Sequence, residues 1–144
     1  MDISFLLPAA ISTPGGGYKI ILEHANHLAE KGHHVYIECP ATLNWKRQGL
    51  FGKLNQLRLF LKRKYVIGYS CESWFHIHSN VKVRWVISLG YSCVHKSYVF
   101  IATEARTAPY LEEYPIDSHR KFYFIQDYET WVMPNNKLRE TYHY

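Results

Sequence analysis

A change of hydrophobic period near the N-terminus constrains the fold more than any other feature. Residues 3–7 form a continuous apolar run that Pro8 ends, which is typical of a buried parallel strand. Residues 8–17 hold two Pro and three Gly, and this composition indicates a loop. From Tyr18 the apolar residues recur at helical spacing as far as Gly32, and residues 34–39 then predict a second strand. The order strand, glycine loop, helix and strand predicts a βαβ unit with a right-handed crossover.

The remaining sequence continues this alternation. Apolar runs predict strands at residues 81–89, 98–103 and 122–126, and residues 107–114 predict a short helix that Pro115 ends. From residue 137 the pattern indicates the beginning of another helix. Alternating strands and helices predict an α/β fold, specifically a Rossmann-like doubly wound parallel sheet. A length of 144 residues suits one such domain.

Cysteine and histidine usage argues against a disulfide framework and against a metal site. The three cysteines are far apart and form no CxxC pair, so we expect each to be buried as a small apolar residue. On a strand His76 and His78 would share one face, and no metal-binding pattern surrounds them. Asp2 stands where a signal peptide carries basic residues, and no apolar stretch has the length of a membrane span. The sequence therefore predicts a cytoplasmic protein without a spanning helix.

The predicted sheet places three polar segments where ligands bind to such folds. In doubly wound sheets the ligand lies beyond the C-terminal ends of the strands, where residues 14–17, 104–107 and 126–129 are expected. Gly15, Gly16 and Gly17 precede a helix, and the amides at a helix N-terminus attract phosphate. The alternative is that these glycines serve only a turn. The dinucleotide-binding pattern GxGxxG is incomplete.

Ionisable residues follow the two later strands of this edge. A carboxylate there could position or deprotonate a hydroxyl nucleophile, and an arginine could bind phosphate or carboxylate with two hydrogen bonds. The alternative is a structural ion pair of the arginine with one of the acids. The residues concerned are Glu104, Arg106, Asp127 and Glu129.

Glu38 ends the second predicted strand and has two interpretations. An acid at this place holds the ribose in nicotinamide-binding units. Since the glycine pattern is incomplete, the favoured interpretation is a solvated carboxylate at the strand end.

A basic segment separates Glu38 from Glu72, with no acidic residue between them. Leucines at 50, 54, 57 and 61 have helical spacing and predict a basic amphipathic helix. Its cations could face an anionic membrane, or they could form a solvated face. Nucleic acid is not an expected partner, because the charge is local and no RNA- or DNA-binding signature occurs. The candidate membrane-facing residues are Lys53, Arg58, Lys62, Arg63 and Lys64.

Five segments resemble a known enzyme family. Residues 3–8, 14–19 and 25–35 resemble the opening of GT-B glycosyltransferases of the family 4 type. Residues 101–108 and the Phe-Ile-Gln-Asp-Tyr-Glu run within 122–129 resemble a subgroup that includes rhamnosyltransferases acting on surface polysaccharides. Residues 41–97 match only loosely. Ala105 and Thr130 depart from the family pattern, which has an aromatic residue and a proline near these positions.

The resemblance implies a retaining hexosyltransferase. Such an enzyme moves a sugar, rhamnose in this subgroup, from a nucleotide-sugar donor to a glycan or glycolipid acceptor, with no metal, no other cofactor and no dedicated protein nucleophile. The basic segment, independently of the resemblance, adds the expectation that this cytoplasmic protein can lie peripherally at the inner face of the membrane. The glycine loop would approach the donor phosphates. The acceptor cleft would be lined by Glu104, Arg106, Thr107, Gln126, Asp127 and Glu129.

The resemblance also carries an expectation about domains. Residues 1–144 correspond to the N-terminal, acceptor-side domain, truncated and without the C-terminal nucleotide-sugar domain, so we expect that they do not catalyse transfer alone. The alternative is a non-catalytic nucleotide- or glycan-binding module of the same fold, associated with a membrane through its basic helix. A dinucleotide-dependent oxidoreductase is a third hypothesis.

Overall fold

A computed structural model describes residues 1–11, 14–43, 49–62 and 71–126, together with positions 137 and 139. The strands are β1 (Asp2–Leu6), β2 (His34–Pro40), β3 (Val81–Val86), β4 (Val99–Ala102) and β5 (Lys121–Tyr123). The helices are α1 (Gly16–Glu30), α2 (Leu50–Lys62) and α3 (Ala108–Glu112), with short 3-10 helices at Cys71–Ser73 and Ser118–Arg120.

The five strands form one parallel sheet in the order β3-β2-β1-β4-β5. This confirms the predicted Rossmann-like α/β sheet. The chain runs outward from β1 to β3, then returns to the other side of β1 and continues to β5. The strand order therefore reverses between β1 and β4, and a crevice opens at such a switch point beyond the C-terminal strand ends.

Helix α1 covers one face of the sheet. Ile21, Leu22, Ala25 and Ala29 are buried on it, and they pack in one core with residues of β1 and β2, as the helical spacing predicts. Gly32 follows the helix with a φ of 84°, a conformation that favours glycine and ends the helix as predicted.

The beginning of α1 differs from the prediction. The helix starts at Gly16 rather than Tyr18, because Gly15 is extended and its carbonyl oxygen accepts the N–H of Lys19 at 2.9 Å. Two of the three loop glycines therefore belong to the first helical turn.

The opposite face is covered by α3 and by the irregular segment 87–98. Phe100, Leu111 and Tyr114 pack together there, and the buried Tyr114 hydroxyl donates a hydrogen bond to the carbonyl of Leu89 at 2.6 Å. Helices and loops on both faces explain why the strand residues read as continuous apolar runs.

Two predicted strands are shorter than their apolar runs. The strand predicted at 81–89 ends at Val86, opposite Pro40, where β2 also ends. The strand predicted at 122–126 ends at Tyr123, opposite Ala102 at the end of β4. In both cases the length of the paired neighbour sets the end of the strand, and the apolar side chains continue beyond it.

His76 and His78 lie in a loop, and the Asn26 side chain holds this loop through the carbonyl of His76 (2.8 Å) and the N–H of His78 (3.0 Å). One smaller prediction, the burial of all three cysteines, is wrong. Cys39 and Cys71 are buried as expected, but Cys93 is only half-buried. Of the helix predicted from residue 137, only positions 137 and 139 are described, and both are helical. Within the described ranges no helix has the length and apolarity needed to cross a membrane.

Candidate ligand site at the switch point of the sheet

Three segments meet beyond the C-terminal ends of β1, β4 and β5. The Thr103 hydroxyl donates to the carbonyl of Leu6 at 2.8 Å and so joins the end of β4 to the end of β1. A Cβ atom placed on Gly17 would lie 3.0 Å from Oε1 of Gln126, which follows β5. The glycine turn, the 103–107 turn and Gln126 therefore form one site, as the rule for parallel sheets predicts.

The N-terminus of α1 presents its positive end to this site. Among the described residues no side-chain hydrogen bond caps it, and its first turn contains no acidic residue. Backbone N–H groups at such a terminus favour an anion. At Gly17 a side chain would press on the Gln126 carbonyl, whereas at Gly16 no atom lies within 4 Å. Gly17 thus permits the close approach of Gln126, which a residue with a side chain would block.

The 103–107 turn is held by the hydroxyl of Thr107. This hydroxyl accepts the N–H groups of Thr103 (3.1 Å) and Glu104 (3.2 Å) and donates to the carbonyl of Glu104 (2.8 Å). Thr107 is fully buried, so its part in the site is to fix the turn rather than to contact a ligand.

Glu104 and Arg106 project from this turn as an ion pair. The Nε–H of Arg106 donates to Oε1 of Glu104, and the arginine side chain is half-exposed while the glutamate is mostly covered. One of the two ion pairs considered from the sequence is therefore present. The other acids predicted for this edge, Asp127 and Glu129, lie outside the described residues.

Tyr18 is a member of the site that the sequence analysis placed only on the core face of α1. Burial raises the pKa of its hydroxyl, the negative charge of Glu104 raises it further, and Arg106 lowers it. Tyr18 therefore stays protonated at neutral pH and can donate a hydrogen bond beside the ion pair. Its spacing is that of a core residue of α1, so no signal in the sequence indicated this role.

Glu38 pairs in register with Leu6 of β1, and neither interpretation of it from the sequence holds. Its carboxylate is fully buried, and Oε1 accepts hydrogen bonds from Arg84 Nη1 (2.7 Å) and from the N–H of His95 (2.9 Å). Burial raises the pKa of Glu38, although the His95 N–H and Arg84 both lower it. The carboxylate is thus neither solvated nor open to a ribose.

A separate cleft of about 790 Å³ lies along the edge strand β3. Its walls include Tyr36 and His95, whose rings stack at 3.6 Å, together with Arg84 and Trp85. This cleft follows the side of a strand rather than the strand ends, and Arg84 already pairs with Glu38. We therefore assign the ligand site to the switch point.

In the described part of the chain, no three His, Cys, Asp or Glu residues are grouped so that they could hold a metal ion. Comparisons with protein-family models, curated proteins and solved structures returned no match to this chain. The assignment of the fold class therefore rests on the sheet itself. The family resemblance stays a prediction.

Proposed function

We propose that this chain is the acceptor-side Rossmann-like domain of a retaining glycosyltransferase. The reaction moves a hexose, rhamnose by resemblance, from a nucleotide sugar to a hydroxyl group of a glycan. The observation that carries the proposal is that the N-terminus of α1, Gln126 and the turn bearing the Glu104–Arg106 pair lie together beyond the ends of β1, β4 and β5.

Each part of the site has a role that suits this substrate. The amides of Gly16 and Gly17 face the donor diphosphate, because they lie at the positive end of α1. The half-exposed guanidinium of Arg106 binds an anionic oxygen. The Glu104 carboxylate accepts a hydrogen bond from a sugar hydroxyl, and the Tyr18 hydroxyl donates one.

The chemistry needs no covalent intermediate with the protein. The bond between the sugar carbon and the diphosphate oxygen breaks, the acceptor oxygen bonds to that carbon on the same face, and the acceptor proton passes to the leaving diphosphate. The described residues would act by orienting the two substrates and by stabilising the charge that develops on the diphosphate.

Ligand-observed NMR tests the proposal with dTDP-rhamnose, UDP-glucose and NAD as probes. We expect saturation transfer to at least one nucleotide sugar and none to NAD, because Glu38 is not available to a ribose. Gly17→Val should remove the signal by filling the space beside Gln126. The matched control is Gly49→Val, before α2, where a Cβ atom would meet no atom of the described residues within 4 Å. Binding of NAD alone, or equal binding by both variants, would contradict the proposal.

A further inference from the structure

Helix α2 carries an apolar row that the described protein does not cover. None of its residues is buried, and Leu50, Phe51 and Leu54 are 73%, 87% and 55% exposed. Leu61, which continues the row of Leu50 and Leu54, is 45% exposed. Contiguous exposed apolar side chains of this kind mark an interaction surface.

The same helix is basic on both sides of this row. Its charged residues are Lys53, Arg58 and Lys62, and it contains no acid. At the helical repeat of 3.6 residues per turn, Lys53 and Arg58 lie about 70° to either side of the leucine row. An apolar row between two cationic flanks is the arrangement of a helix that lies in a membrane interface.

We propose that α2 docks in the headgroup region of an anionic lipid bilayer, with the leucine row in the acyl boundary, Phe51 at the edge of that row, and the basic residues on lipid phosphates. The helix is only about 20 Å long, which is too short to cross a bilayer core of roughly 30 Å. It therefore lies along the surface. This inference depends on α2 alone and not on the glycosyltransferase proposal.

Charge and apolarity together favour a bilayer over other occupants. A nucleic acid would neutralise the cations but would leave the leucines in water. A second copy of α2 would cover the leucines but would bring two acid-free basic helices together. An anionic bilayer both neutralises the cations of α2 and removes its leucines from water.

Co-sedimentation with vesicles tests the charge requirement. We expect the 144-residue chain to bind vesicles of equal parts phosphatidylglycerol and phosphatidylcholine, and to bind pure phosphatidylcholine far less. Lys53→Gln/Lys62→Gln should weaken binding about 30-fold, since each basic residue at such a surface contributes about a fivefold gain. Lys31→Gln/Lys82→Gln makes the same change in net charge at exposed positions outside α2 and should bind like the wild type.

A second pair of changes tests insertion of the apolar row. Phe51→Ser/Leu54→Ser keeps every charge, and both side chains are exposed, so the fold should remain intact. We expect this variant to lose binding to the anionic vesicles. Wild-type binding by this variant, or an equal loss in the Lys31/Lys82 control, would overturn the proposal. A preference for duplex DNA over vesicles, or a dimer that Phe51→Ser/Leu54→Ser dissociates, would also overturn it.

Discussion

Nη1 of Arg84 lies 2.7 Å from Oε1 of Glu38, a carboxylate without solvent exposure that joins β2 to β3. Arg84→Met removes the cation and leaves a buried charge, so we expect a loss of about 3 kcal/mol in the free energy of unfolding. This is the low end for a broken buried pair, because a third of the Arg84 side chain is in water. Urea unfolding at neutral pH measures the loss. Lys82→Met, at an exposed position of the same strand, should change stability by less than about 0.5 kcal/mol.

The same pair predicts a dependence of stability on pH. The pKa of Glu38 is raised above its ordinary value of 4.5, chiefly by burial, and Arg84 opposes this rise. Because the folded-state pKa of Glu38 is raised, the stability that its neutral form contributes is fully present below its unfolded-state pKa. This contribution is lost as the pH rises through the folded-state pKa. Arg84→Met raises the pKa of Glu38 further, so the variant should lose extra stability as the pH rises from 4.5 toward neutrality.

Unfolding curves at a series of pH values measure this dependence. The difference in unfolding free energy between Arg84→Met and the wild type should shrink toward acid pH. Adding Glu38→Gln to the Arg84→Met variant should make that difference independent of pH. A difference that stays constant across the series would show that Glu38 is not the group responsible.

Thr107 predicts a stability effect in the 103–107 turn. Thr107→Val keeps the shape but leaves the N–H groups of Thr103 and Glu104 without their acceptor, so we expect a loss of about 2–3 kcal/mol. Thr107→Ser retains the hydroxyl and loses one methyl group, which should cost about 1 kcal/mol. Thermal unfolding of the two variants compares these costs. A serine variant less stable than the valine variant would contradict the role of the hydroxyl.

The cysteines predict a pattern of alkylation. Burial raises the pKa of the Cys39 thiol to about 12 and also raises that of Cys71, while Cys93 is half-buried. Because the thiolate is the reactive species, iodoacetamide should modify Cys93 first in the native protein. All three should react in urea. Peptide mass spectrometry gives the rate at each position, and equal rates for Cys39 and Cys93 in the native state would be inconsistent with the structure.

The sheet and α1 were accessible from the sequence because they depend on local pattern. Continuous apolar runs indicated strands buried on both faces, and Gly32 marked the end of α1. Parallel strands place their C-terminal ends at one edge of the sheet. The polar segments that adjoin these ends, including Gly17 and Glu104, could therefore be expected near one another. Two strands, β3 and β5, end earlier than predicted, because pairing with the neighbouring strand, rather than apolarity, sets where a strand ends.

The interior contacts could not be read from the sequence. Glu38 meets Arg84 because of the β2–β3 register, across a sequence separation of 46 residues, and no local pattern contains this. Leucine spacing predicted α2, but not whether its apolar row would be covered. Tyr18 has the spacing of a core residue, and only the position of Glu104 makes it part of the site.

Amide mapping tests the central claim, that the N-terminus of α1 and the 103–107 turn contact a nucleotide sugar at the switch point of the acceptor-side domain. ¹H–¹⁵N spectra would be recorded while dTDP-rhamnose is added to the full 144-residue chain. We predict that the amides of Gly16, Gly17, Tyr18, Glu104, Arg106 and Gln126 shift together with one dissociation constant. Shifts confined to the β3 edge around Tyr36 and His95, or no shifts at all with either dTDP-rhamnose or UDP-glucose, would contradict the account.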